Sequence, residues 1–132
     1  MKHECNNLIV SCMDFRFHEA ICEWVKENNM VGDYDLISLA GAQKVLVDPN
    51  TKDFFFKQLE ISVKLHKTKN VILLAHQDCG AYGGSKAFES WTEEKAKYME
   101  DLTEAELAIK NIYPEIKVRK MILEWKVNFG EV

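Results

Sequence analysis

Val71-Ile72-Leu73-Leu74-Ala75 runs directly into His76-Gln77-Asp78-Cys79-Gly80. Five consecutive apolar residues, four of them β-branched or leucine, read as a strand buried on both faces. A polar turn rich in metal-binding side chains comes next, at that strand's carboxyl end. Upstream, Leu8-Ile9-Val10-Ser11-Cys12 repeats the pattern and ends in Asp14 and Arg16. Tyr34 to Leu39 is a third strand, closed by Ala40-Gly41-Ala42. Between the strands lie helical patterns. Phe17, Ala20, Ile21, Trp24 and Val25 fall on one helical face. Pro49-Asn50-Thr51 opens a helix to about His66. It carries two apolar stripes: Phe55, Leu59, Val63 and His66, and Phe54, Ile61 and Leu65. The second stripe suits a partner subunit.

Ser90-x-x-Glu93 is a capping-box pattern. It precedes a helical face of Tyr98, Leu102, Ala105, Ile109 and Ile112, with Thr103-x-x-Glu106 as a place for a break. Ile116 to Phe129 is strand-like but changes phase near Lys120 to Ile122, which predicts a bulge or two short strands. The alternation predicts an α/β fold: a single domain over residues 1–132, its sheet mostly parallel in the order 2-1-3-4 with an edge strand added, and helices on both faces.

The chain has 132 residues, enough for one real core. Apolar residues make up 47%, and the net charge is -4 with no basic patch, which speaks against a nucleic-acid partner. The longest apolar run is far too short to span a bilayer, and Met1 to Asn7 has no signal-peptide pattern. The expected setting is therefore the cytoplasm, where the four cysteines stay reduced. Cys22 reads as a packing residue on the first helix, and Cys5 as a surface thiol.

In this strand order the first and third strands are neighbours, and a crevice opens at their carboxyl ends. Cys12, His76 and Cys79 then converge from distant parts of the chain. Two thiols, an imidazole and an open fourth position make a catalytic zinc set. Taken singly, Cys12 reads as a core thiol, His76 as a turn residue, and Asp14 with Arg16 as a solvated ion pair; convergence is what gives them chemistry. Asp14 and Arg16, two and four residues past Cys12, point to its side if the chain stays extended. No Cys-x5-Arg anion loop, Cys-x-x-Cys pair or Gly-x-Gly-x-x-Gly turn competes for the site.

Cys12-Met13-Asp14-Phe15-Arg16, then Ala40-Gly41-Ala42, then His76-Gln77-Asp78-Cys79-Gly80 resembles the beta-class carbonic anhydrases from Leu8 to Gly84. The resemblance implies Zn²⁺ held by Cys12, His76 and Cys79, with Asp14 and Arg16 as the catalytic dyad. It implies reversible hydration of carbon dioxide to bicarbonate by zinc-bound hydroxide, in a homodimer or higher homo-oligomer. Two alternatives share the site: a zinc-binding relative with little hydration activity, and a hydrolase of a carbon dioxide analogue such as carbon disulfide or carbonyl sulfide. The chain departs from the family at Phe15, at Ser38-Leu39 before the Ala-Gly turn, and in having no N-terminal helical arm before Cys12. Phe15, Val45 and Tyr82 are candidate walls for a carbon dioxide pocket, and His18 and His66 candidate proton shuttles.

Overall fold

The computed structural model describes residues 2–125 and 128–132, and only the backbone of Asn128 and Phe129. Five strands form one sheet: β1 (Asn7–Ser11), β2 (Tyr34–Ser38), β3 (Asn70–His76), β4 (Lys117–Glu124) and β5 (Asn128–Glu131). The order is β2-β1-β3-β4-β5. β5 alone pairs antiparallel, so it is the added edge strand. The strand-like stretch from Ile116 is thus two strands; Lys126 and Val127 between them lie outside the described residues.

Side chains alternate across the sheet, and each face has its own cover. Leu8, Val10, Val71, Leu73 and Ala75 pack under α2 (Lys44–Val47), α3 (Lys52–His66) and α4 (Trp91–Ile112). Ile9, Ile72 and Leu74 pack under α1 (His18–Glu27) through Trp24 and Val25. β3 is buried along almost its whole length because both faces are covered. The α2 helix has no counterpart in the sequence pattern. Four residues are too few to display a period, yet Val45 and Leu46 are core residues.

Three local expectations need correction. α4 runs unbroken for 22 residues, so Thr103 does not restart it. Ile112, its last residue, is exposed rather than part of the buried stripe. Cys22 is exposed, because it lies about 200° around the helix from both Ala20 and Trp24 and so faces away from the sheet. The capping box forms by half: Ser90 Oγ accepts the Glu93 N–H at 3.2 Å, while the Glu93 carboxylate reaches the N–H of Glu89 instead of that of Ser90.

Candidate metal centre

Parallel pairing of β1 with β3 fixes the site. Val10 is level with Leu73, so Cys12, just past β1, and His76, the last residue of β3, emerge at the same rim. Cys12 and Cys79 come from the face covered by α2 to α4, whereas His76 follows Ile72 and Leu74 on the α1 face. All three are buried, and their ligand atoms lie within 4.8 Å of one another.

The imidazole is held in one orientation. Phe17 packs against its ring at a centroid distance of 4.6 Å. Nδ1 lies 2.8 Å from the Gln77 carbonyl oxygen, which only accepts, so Nδ1 carries the proton. The lone pair of Nε2 then points into the cluster. That nitrogen is buried and has no hydrogen-bond partner among the described residues. Leaving such an acceptor unpaired costs about 1–3 kcal/mol. A soft divalent cation between Nε2 and the two sulfurs would satisfy it, so the residues present fit zinc.

The two thiols share one negative charge readily. The Cys12 thiol is lowered well below the usual thiol range, chiefly by its hydrogen bond to Cys79, with help from the Gly41 N–H and against the cost of burial. Cys79 is pushed up by that same sulfur and by burial. For His76, burial opposes the charge, but Cys12, the Gln77 carbonyl and Asp14 more than offset it and raise its pKa. Gly41 donates its N–H to Cys12 Sγ at 3.4 Å. Its φ is +89°, and an added Cβ would stand 3.0 Å from that of Ala81, so the turn needs glycine.

Asp14 and Arg16 meet, though not along an extended chain. Asp14 caps a short 3-10 turn, Phe15–Phe17, by accepting the Arg16 N–H, and this turn folds the guanidinium back. Arg16 Nη2 lies 2.6 Å from Asp14 Oδ2 and its Nε 3.0 Å from Oδ1. These bonds hold the Asp14 carboxyl down at about 2. Asp14 Oδ2 is 3.8 Å from His76 Nε2, so the carboxylate borders the ligand cluster. Arg16 also grips the third element: Nη1 bonds the Asp78 carboxylate and Nη2 the Asp78 carbonyl, each at 2.9 Å.

Residues 2–132 match the protein family described as "Putative carbonic anhydrase". The chain belongs to that family. An uncharacterized protein of Rickettsia bellii (strain RML369-C) is 31% identical over 127 residues, which span 92% of this chain and 77% of that one. One from Rickettsia conorii (strain ATCC VR-613 / Malish 7) is 29% identical over 129 residues, spanning 92% and 68%. Among solved structures, the β-carbonic anhydrase CafA of the fungal pathogen Aspergillus fumigatus aligns with a TM-score of 0.57 at 16% identity, over 99% of this chain and 76% of that one. At that identity the likeness is one of fold, and the fold of this family member is that of the beta class.

Several residues that support the site escaped the sequence reading. Asp78 has φ +60°, a conformation its short side chain tolerates by local bonding. Its Oδ1 accepts the Ser85 N–H at 2.7 Å, which together with Arg16 holds its pKa low. Glu94 is almost fully buried on α4, and its Oε2 accepts the Asp78 N–H and the Tyr98 hydroxyl, each at 2.7 Å. Tyr98 in turn accepts the Cys79 N–H at 3.2 Å. Helical spacing marked Tyr98 as core and gave no sign that its hydroxyl braces the His76–Cys79 turn.

An open cleft leads to the cluster between Met13, Phe15, Ala40, Ala81 and Gly84. Of the three candidate walls Phe15 lines it, whereas Val45 belongs to the core and the Tyr82 hydroxyl donates to Asp101. His66 ends α3 at the opposite rim of the sheet, bonded to Asp35, and does not reach this cleft.

Proposed function

We propose that this chain is a zinc-dependent carbonic anhydrase, which reversibly hydrates carbon dioxide to bicarbonate with Cys12, His76 and Cys79 as metal ligands. The reading rests on the buried, unpartnered Nε2 of His76 facing two sulfurs. Zinc supplies a Lewis acid that acidifies water to a nucleophile near neutral pH. The protein's own part falls to Asp14 and Arg16. Asp14, ionised and beside the cluster, accepts the proton of the attacking oxygen's O–H in a hydrogen bond and so aims a lone pair at carbon. Arg16 holds that carboxylate by charge-assisted bonds to both oxygens and would so keep it from joining the three ligands around a metal. Arg16 also joins the Cys12 and Cys79 loops through Asp78, so one guanidinium sets the dyad and closes the site's outer edge. The apolar cleft walls suit a small apolar gas.

The same reading takes residues 1–132 as one functional domain, cytoplasmic, and assembled at least as a homodimer. Exposed Phe54, Ile61 and Leu65 on α3, with Leu36 on the edge strand β2, supply an apolar face for a second copy. No helix among the described residues is long and apolar enough to cross a membrane.

The test is zinc per chain after purification without chelators, with stopped-flow carbon dioxide hydration then measured across pH. Stoichiometric zinc with hydration that rises with pH is expected. Zinc without hydration at any pH up to about 9 would select the inactive zinc-binding alternative; a chain that takes up no zinc would overturn the assignment.

A further inference from the structure

A second group of metal-ligating side chains lies at the other end of the sheet. Cys5 precedes β1, Asp35 is the second residue of β2, and His66 is the last residue of α3. Their ligand atoms lie within 4.8 Å of one another. The backbone brings them together without help from the side chains. The Cys5 N–H donates to the His66 carbonyl at 2.9 Å, and the register of β1 on β2 sets Asp35 level with Leu8.

We propose that Cys5, Asp35 and His66 form a second transition-metal site of the zinc class, separate from the Cys12 centre. The donors are one sulfur, one imidazole nitrogen and one carboxylate oxygen, the set that zinc accepts and that magnesium and calcium do not favour. Tetrahedral zinc, with bonds of about 2.0–2.3 Å, separates its ligand atoms by roughly 3.3–3.8 Å. His66 Nδ1 and Asp35 Oδ2 are 2.7 Å apart and need to spread slightly, and Cys5 Sγ lies within 4.8 Å of the other two ligand atoms, inside the reach of a small side-chain adjustment. Binding would shift the imidazole proton from Nδ1 to Nε2, which frees the Nδ1 lone pair for the ion, and would release the thiol proton of Cys5 to solvent. Ser62 Oγ donates to Asp35 Oδ2 at 2.8 Å and is itself bonded to Thr68, so the carboxylate is already oriented by a neighbour that is not a ligand. Asp35 and His66 line a groove beside β2 that Leu36 and Ile61 of the apolar face also border, and Cys5 lines a separate surface hollow. Three protein ligands leave a fourth position for water. Such an ion would tie the segment before β1 to β2 and to the end of α3.

The experiment counts metal equivalents per chain in titrations with Zn²⁺ and with Co²⁺, the latter read by its thiolate charge-transfer absorption. Wild type, Cys5→Ser, His66→Gln and the exposed-thiol control Cys22→Ser are compared, with circular dichroism as the check on folding. Wild type and Cys22→Ser should bind one more equivalent than Cys5→Ser and His66→Gln, and the thiolate absorption of that equivalent should vanish in Cys5→Ser. The comparison is a difference between chains, so it holds whatever the Cys12 centre binds. Equal equivalents in all four proteins, or a wild-type spectrum unchanged by Cys5→Ser, would overturn the proposal. Should either variant misfold, the Cys22→Ser protein alkylated at Cys5, the most exposed thiol it keeps, decides the matter in the same way.

Discussion

At the carboxyl end of β1, Cys12 meets His76 and Cys79 largely buried at the foot of a cleft, and the Nε2 lone pair has no proton to accept. At the amino end, Cys5 meets His66 and Asp35 at partial exposure, and the imidazole is already bonded to the carboxylate. The two clusters share donor types and differ in burial and in prior satisfaction. A buried, unpaired acceptor makes the metal-free state costly, so binding there gains what that state forfeits. A half-exposed pair that satisfies itself gives the metal-free state a good alternative. Affinity should therefore differ widely between the two ends although the chemistry of the ligands is alike.

The largest effect tests that difference directly. Cys79→Ser should abolish stoichiometric zinc at the Cys12 centre and hydration with it, whereas Cys5→Ser should leave both intact. Graded chelator should strip the amino-end site first, and metal released per chain, monitored with a chromophoric chelator, reports the order. Simultaneous release would break the comparison. Next in size is Arg16→Ala. Zinc should remain, because none of the three ligands is touched, while hydration falls by about a hundredfold or more as Asp14 loses its orientation. Substantial activity in the zinc-loaded variant would remove the dyad from the mechanism.

A smaller effect is expected from Tyr98→Phe, which leaves the Cys79 N–H and one bond of the buried Glu94 carboxylate unpaired. Stability should drop by about 1–3 kcal/mol, and zinc affinity by about tenfold as the His76–Cys79 turn loosens. Urea midpoints and competition with a zinc chelator measure the two separately. A stability loss with no change in affinity would make Tyr98 a core residue only.

These sites were not equally legible in the sequence. The Cys12 centre could be read because each ligand stands at or just past the end of an apolar run, and strand order alone then brings the ends together. The same runs gave the sheet, whose four parallel-paired strands are long enough to show their pattern. The supports of the site were hidden because they depend on side-chain reach rather than period. Glu94 falls four residues before Tyr98 and so on its buried face, but a carboxylate in the first turn of α4 also reads as a solvated helix-dipole partner, and no period tells that it accepts the Asp78 N–H. Asp14 and Arg16 were paired for a wrong geometric reason, since a 3-10 turn and not an extended strand joins them. The amino-end cluster is not legible as a group. Its residues fall at a segment before a strand, an edge-strand position and a helix terminus, and His66, read as part of an apolar stripe or a proton shuttle, carries no sign of Cys5 or Asp35.

The smallest effect concerns how the amino end of β1 is anchored. Asp33 accepts the Asn6 N–H at 2.8 Å and the Asn6 side-chain amide at 2.9 Å, and these bonds lower its pKa below the usual carboxylate value. A carboxylate whose pKa is depressed on folding contributes stability above its unfolded pKa of about 3.9 and loses it as pH falls through the folded value. Asp33→Asn keeps one acceptor oxygen but loses the charge and the second bond, so it should cost about 1 kcal/mol at pH 7. That penalty should shrink as pH drops below about 4, where the unfolded chain takes up the proton first, and go on shrinking through the lower pKa of folded Asp33. Urea midpoints of both proteins at intervals from pH 7 to pH 3 give the difference curve. The Cys12 centre should keep its zinc throughout the neutral range, because the bonds at Asp33 lie at the far end of the strand. A penalty that stays constant with pH would mean that Asp33 acts through shape and hydrogen bonding alone, and that charge plays no part in holding this end of the sheet.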